Sequence, residues 1–285
     1  MAEKKEPLLG AVDLGSNSFR VEIGRLVAGQ ILTESYWKET VRLAAGFDDE
    51  GYLTPQAQQR ALEALTRFKE KLAGVNPKYI RAVGTQALRI AKNSAEFLPK
   101  AEAALGHPIE IIAGREEARL VFAGCAHTLP PSPEKRLVVD IGGASTELII
   151  GSGTEAHCCE SFHVGCVNTS VTFFKDGKLT ARAFKSAQLA AQAELEEAAH
   201  TPSSSVRRYS VKGCRANHAL STVRQIVRFA IESRHCGSRT VRRACAKMTA
   251  SRIAAIMRVS LASVSASSTF FRFPRCARTT VAIVV

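Results

Sequence analysis

Asp140 ends an apolar run, Leu137-Val138-Val139, and leads into Gly142, Gly143, Ala144 and Ser145; Thr146, Glu147 and a second apolar run follow. A carboxylate at a strand end can hold a cation, and a turn of small residues leaves backbone N–H groups that an anion can approach. The chain contains the same object once before: apolar residues, Asp13, then Gly15, Ser16, Asn17 and Ser18. The two aspartates stand 127 residues apart. Either turn alone reads as an ordinary hairpin. A plain turn has no reason to recur with the same aspartate at the same spacing. The pair predicts two lobes, each offering a phosphate-gripping hairpin to a shared cleft.

Two other stretches could add to that chemistry. Gly84, Thr85 and Gln86 lead into a helix that carries Arg89; such a turn can present N–H groups to an anion, and an arginine one turn on can add a guanidinium. Gly114 opens a helix with Glu116 and Glu117 in its first turn, where the helix dipole favours carboxylates. Neighbours on a helix diverge by roughly 100°, so only one of the two can face a site.

The elements that must position these residues follow from periodicity. Residues 8–12, 19–26 and 30–40 read as an antiparallel meander, with Phe19, Val21 and Ile23 alternating against Arg20 and Glu22. Thr54-Pro55 starts a helix with Ala61, Leu62, Leu65, Phe68 and Leu72 on one face. A strand over 79–83 and a helix capped by Ser94 follow; Pro99 should kink that helix or delay its start. Residues 109–112 form a strand, and Pro130, Pro131 and Pro133 link to the second lobe. There the strand–turn–strand repeats over 136–150, followed by a strand at 158–162, a turn at 165–167 and helices over 168–174 and 180–199. The expected domains are residues 1–128, 129–200 and 201–285.

Charge separates the last of these from the rest. The 285 residues carry 39 Lys+Arg against 26 Asp+Glu. Residues 201–285 hold 16 of the basic residues, 14 of them arginine, and a single acid, Glu232. The first 200 residues are therefore nearly balanced. No run reaches the ~18 apolar residues of a membrane span, and the N-terminal apolar run is too short for a signal peptide. The expected location is cytoplasmic. Cys125, Cys158, Cys159 and Cys166 make no CxxC pair, which favours buried thiols over zinc ligands or disulfides.

At five places the chain resembles the exopolyphosphatase / guanosine pentaphosphate phosphohydrolase family of the actin–sugar kinase–Hsp70 superfamily: DLGSNSF from Asp13, VRLAAG from Val41, GTQALRIAKN from Gly84, GREEARL from Gly114 and VVDIGGASTEL from Val138. They come in the family's order and spacing and span roughly residues 8–200. The resemblance implies an α/β fold of two ribonuclease-H-like lobes around a cleft. It implies hydrolysis of a terminal phosphoanhydride with Mg²⁺, on inorganic polyphosphate or, alternatively, guanosine pentaphosphate. By position, Glu117 matches the carboxylate that activates water, and Arg89, counted with it in the catalytic set, matches a phosphate-holding group. Asp140, Glu147 and Asp13 match acids near the metal. Gly15, Ser16, Asn17 and Ser18, with Gly142, Gly143, Ala144 and Ser145, match the phosphate-holding turns. The family also implies a homodimer.

The resemblance stops after residue 200. The glycine-rich turn that the family would continue with is missing, and the text becomes rich in Arg, Ser, Ala and Cys. A GC-rich gene read out of frame yields such a mixture. A tail of low order and an incomplete second lobe are the expectation. Binding of polyanions by the tail would be nonspecific, and no zinc spacing, aromatic platform or helix-turn-helix pattern marks a nucleic-acid-recognition module. A catalytically dead polyanion-binding fragment is the competing reading.

Overall fold

Both strand–turn–strand units fold as the start of an antiparallel meander, and each meander continues into a five-stranded sheet. The structure, a computed structural model, describes residues 6–27, 30–129, 133, 135–175, 177–178, 180–200, 268–272 and 279–284. In chain order the strands are β1 (Leu8–Leu14), β2 (Ser18–Val27), β3 (Gln30–Thr40), β4 (Ile80–Gly84), β5 (Glu110–Ile111), β6 (Lys135–Ile141), β7 (Thr146–Ser152), β8 (Glu155–Phe162), β9 (Ser268–Arg272) and β10 (Thr279–Val284). The helices are α1 (Pro55–Leu72), α2 (Gln86–Ile90), α3 (Ser94–Leu105), α4 (Gly114–Thr128), α5 (Cys166–Phe173) and α6 (Ala181–His200), with a 3-10 turn over Leu43–Ala45.

The chain divides into two units, Met1–Ala113 and Gly114–Val285. In the first, the sheet order is β3-β2-β1-β4-β5: β1, β2 and β3 are antiparallel, and β4 and β5 run parallel to β1. Thr54 caps α1 by accepting the Ala57 N–H at 3.3 Å, and Pro55 takes the first helical position. The helix buries Ala61, Ala64, Leu65, Phe68 and Leu72 in one core with Val12, Leu14, Phe19 and Val21 of the sheet. α3 starts at Ser94 despite Pro99 in its interior. Its N-cap is Asn93, one residue earlier than expected, and the Asn93 side chain bonds both backbone groups of Leu53 instead of capping.

The second unit has the order β8-β7-β6-β10-β9. Strand alternation sends neighbouring residues of β6 to opposite faces. Val138 packs with Ile149 against Ala118, Phe122 and Ala126 of α4. Val139 and Ile141 pack with Leu148 against Ala187, Ala191 and Leu195 of α6. β6, β7 and β8 are thus covered by α4 on one face and α6 on the other.

Two expectations change here. The first lobe was expected to run to residue 128; packing of α4 on β6 and β7 instead moves the division to Ala113/Gly114. The second lobe was expected to be incomplete; β10, an apolar and β-branched TTVAIV, pairs parallel with β6, and β9 pairs antiparallel with β10, so two strands of the tail extend its sheet. Of the tail expected to be of low order, residues 201–285, positions 201–267, 273–278 and 285 lie outside the described residues.

The α4 contact fixes the helix that carries Glu117, so it can be tested by stability. Phe122 is 1% exposed, and an added Cβ on Gly151 would lie 2.3 Å from its ring. Phe122→Ala is expected to lower stability by about 3–5 kcal/mol in urea denaturation. An unchanged midpoint would show that α4 is not anchored there.

Candidate active site

The alternation that sends Val138 and Ile149 toward α4 sends Asp140 and Glu147 to the same face. The two acids are direct cross-strand partners in the β6–β7 ladder. At the first turn of α4, Glu116 forms an ion pair with Arg119 at 2.7 Å. Glu117 instead acts on Glu147. Burial, then the charge of Glu117, then that of Asp140, push the Glu147 carboxyl up to about 8, against hydrogen bonds from Ser161 and Ser145 that favour its ionised form. The Ser161 Oγ donates to Glu147 Oε1 at 2.8 Å. Glu147 is 1% exposed. The structure thus brings together Glu117, Asp140 and Glu147. The field of Asp140 also reaches Cys125, whose thiol burial pushes up to about 11.

Residues 142–145 form a tight connection between β6 and β7, closed by the Gly142 N–H donating to Ser145 O at 2.9 Å. Its carbonyls are taken up by the start of α5. Gly142 O accepts from Cys166 N–H at 3.0 Å, and Gly143 O accepts from Val167 and Asn168 N–H at 2.8 and 3.2 Å. The Asn168 side chain donates to Ala144 O at 3.3 Å. With these carbonyls engaged, the N–H groups of Gly143 and Ala144 have no acceptor among the described residues. Gly165 makes this approach possible: a Cβ there would lie 2.3 Å from Gly143 O and from Ala144 N. Sequence reasoning read residues 165–167 only as a turn, and no local pattern shows that they clamp a segment some 20 residues earlier.

The first unit uses the same device. Asn17 O accepts from Val41 and Arg42 N–H at 3.1 and 2.8 Å, and Ser16 O from Ala44 N–H at 2.9 Å. Ser16 Oγ accepts from the Ala87 N–H at 3.1 Å, so this first-turn amide of α2 is engaged by the turn and is not offered to an anion. The buried Ser18 Oγ has no partner among the described residues. Arg89 is held by Gln86 Oε1, at 2.5 Å from Nη2, and by the Ile112 carbonyl.

Asp13 differs from its counterpart Asp140. Its cross-strand partner is Arg20, at the position Glu147 occupies in the second hairpin. Burial raises the Asp13 carboxyl above the usual carboxylate range, and the Arg20 charge acts in the opposite sense. Asp13 and Arg89 belong to the first unit; Glu117, Asp140 and Glu147 belong to the second. Among the described residues, no three His, Cys, Asp or Glu side chains are grouped so as to hold a metal ion unaided.

A sequence profile for the Ppx/GppA phosphatase family matches residues 23–266. The chain belongs to the Ppx/GppA phosphatase family. It is 50% identical over 181 residues to a protein of Vibrio vulnificus named guanosine-5'-triphosphate,3'-diphosphate pyrophosphatase, covering 64% of this chain and 36% of that protein. A protein of the same name from Aeromonas hydrophila is 47% identical over 193 residues, covering 68% and 39%. The chain therefore spans well under half the length of these relatives. Its fold is similar to a solved exopolyphosphatase-like protein (29% identity, TM-score 0.64, 70% of this chain and 63% of that one). It is also similar to an exopolyphosphatase from Cytophaga hutchinsonii (27%, TM-score 0.56, 67% and 63%) and to the Aquifex aeolicus PPX-GPPA enzyme (28%, TM-score 0.55, 67% and 64%). Ppx/GppA members hydrolyse phosphoanhydrides. No helix among the described residues is long and apolar enough to cross a membrane.

Two outcomes are expected from this geometry. In Gly165→Ala the new methyl must push residues 143–144 off α5, so hydrogen exchange at Val167 and Asn168 should speed up; unchanged exchange would show that the clamp yields. Glu147 sets a pH dependence. A raised acid pKa means that the folded chain keeps a proton the unfolded chain has lost. Glu147 therefore costs no stability at low pH and progressively more as pH rises from the ordinary carboxylate range to about 8. In metal-free buffer, Glu147→Gln should remove that fall in Tm; a wild-type Tm independent of pH across this window would contradict the assignment.

Proposed function

We propose that this chain carries the catalytic half of a guanosine-5'-triphosphate,3'-diphosphate phosphohydrolase that removes the terminal 5'-phosphate. The observation that carries the reading is the mutual field of Glu117, Asp140 and Glu147 beside a turn whose amides at Gly143 and Ala144 are open. The substrate follows the name shared by the Vibrio and Aeromonas relatives. Inorganic polyphosphate, first suggested by the motifs, presents the same terminal phosphoanhydride and is the second substrate; two of the structural relatives are an exopolyphosphatase and an exopolyphosphatase-like protein.

In this reading Glu117 orients a water and takes its proton as the water oxygen attacks the terminal phosphorus. The bond from phosphorus to the bridging oxygen breaks, and orthophosphate leaves. Amides of Gly143 and Ala144 hold phosphoryl oxygens at the second turn. In the first unit, the Ser18 hydroxyl, the amides of residues 15–18 and Arg89 are further phosphate-binding groups of the proposal. The donor set suits Mg²⁺, which takes one or two carboxylates and leaves its other positions to water and phosphate oxygens. Asp140 and Glu147 would hold it, and it would neutralise charge on the phosphates. Asp13, opposite Arg20, is the weakest of the three proposed metal acids. The out-of-frame reading of residues 201–285 stays part of the proposal, supported by their composition; the family profile itself runs on to residue 266.

Phosphate release in Mg²⁺ tests the reading. The chain should release phosphate from guanosine pentaphosphate with a higher kcat/KM than from polyphosphate. Glu117→Gln should lower kcat by about 10²–10⁴ with Kd nearly unchanged. Undiminished turnover would remove Glu117 from the base role. A reversed substrate ratio would make the chain an exopolyphosphatase. Tight binding that collapses with salt, without release, would make it a polyanion binder.

A further inference from the structure

We infer that Arg42 is a positioning residue that acts through its backbone: its left-handed conformation holds the first turn with carbonyls turned inward and amides left for an anion. The inference rests on the phosphate-binding reading above. Arg42 has φ 56° and ψ 49°, and among the described residues it is the non-glycine residue with positive φ. That backbone is disfavoured for a side chain with a Cβ, and such a residue persists where its surroundings over-determine it.

The surroundings are the first turn. Consecutive N–H groups of Val41 and Arg42 converge on one acceptor, Asn17 O, and the left-handed backbone of Arg42 then redirects the chain into the 3-10 turn that brings the Ala44 N–H to Ser16 O. Arg42 is exposed, so side-chain burial does not account for the strain. A comparison lies within the same chain. In the second unit, the amides of residues 166–168 hold Gly142 O and Gly143 O, but there the preceding residue, Gly165, is in ordinary extended conformation with φ −135°. The second clamp is the start of an eight-residue helix and needs no left-handed residue. The first is a three-residue turn, and Arg42 supplies the reversal that a longer helix would make unnecessary. An independent sign that this turn faces a ligand is Ser18 Oγ, buried and without a partner among the described residues.

The test compares Arg42→Gly, Arg42→Asn and Arg42→Val in the full chain. Glycine adopts the left-handed region freely, asparagine tolerates it, and valine resists it. Two quantities are read: protection of the Val41 and Ala44 amides without ligand, and Kd for tripolyphosphate in Mg²⁺. Arg42→Gly and Arg42→Asn should stay within about threefold of wild type in both, whereas Arg42→Val should lose about tenfold or more in both. Equal losses of affinity in all three variants with protection unchanged would assign the effect to the guanidinium and overturn the inference. Arg42→Val indistinguishable from wild type would also overturn it. If Arg42→Val does not fold, Arg42→Ala is read by the same two quantities against Arg42→Gly. A wild-type chain that binds no tripolyphosphate, yet shows the protection pattern, supports the clamp and refutes the phosphohydrolase reading.

Discussion

An almost fully buried carboxylate opposite an aspartate, with a glutamate acting on it from a helix N-terminus, is unfavourable unless a proton or a cation joins it. Glu147 is in that position, and much of the second unit serves to keep it there. The β6–β7 register sets Asp140 directly opposite Glu147. Packing of Phe122 and Ala118 on Val138 and Ile149 fixes α4, whose first turn carries Glu117. Arg119 takes Glu116 and leaves Glu117 to act on the pair. Under the proposed function, that excess of negative charge would attract a divalent cation and favour a carboxylate that takes a proton from water. These are the two events the proposed reaction needs.

A second constraint is set by the backbone. A turn can point its N–H groups at an anion only if its carbonyls are satisfied elsewhere. Both hairpins meet this condition with amides from a later segment: residues 41, 42 and 44 in the first unit and residues 166–168 in the second. Duplication of the hairpin therefore entails duplication of a clamp, although the clamping segments share no sequence pattern. The two hairpins then diverge in charge. Asp13 faces Arg20, of opposite charge, whereas Asp140 faces Glu147, of like charge.

Much of this was legible because local chemistry decides it. Alternating residues drew the meanders, Thr54-Pro55 drew the start of α1, and helical divergence left one of Glu116 and Glu117 to act on the buried acids. What was not legible depends on contacts across the fold. Nothing in HVGCVN says that Gly165 must accommodate Gly143 and Ala144, and nothing in VRLAAG says that Arg42 is left-handed. The boundary expected after residue 128 followed the prolines, but the apolar face of α4 moved it to Ala113/Gly114. The edge of β6 accepted TTVAIV because an apolar β-branched run suits an open parallel edge, whatever frame encoded it.

The central claim is that Glu147 titrates in the field of Glu117 and Asp140. Carboxylate ¹³C NMR of Glu147 in metal-free buffer, in wild type and in Glu117→Gln, measures this directly. The account predicts an apparent pKa of about 8 in wild type and a lower value once Glu117 is neutral. An ordinary carboxylate value in wild type, unmoved by Glu117→Gln, would contradict it.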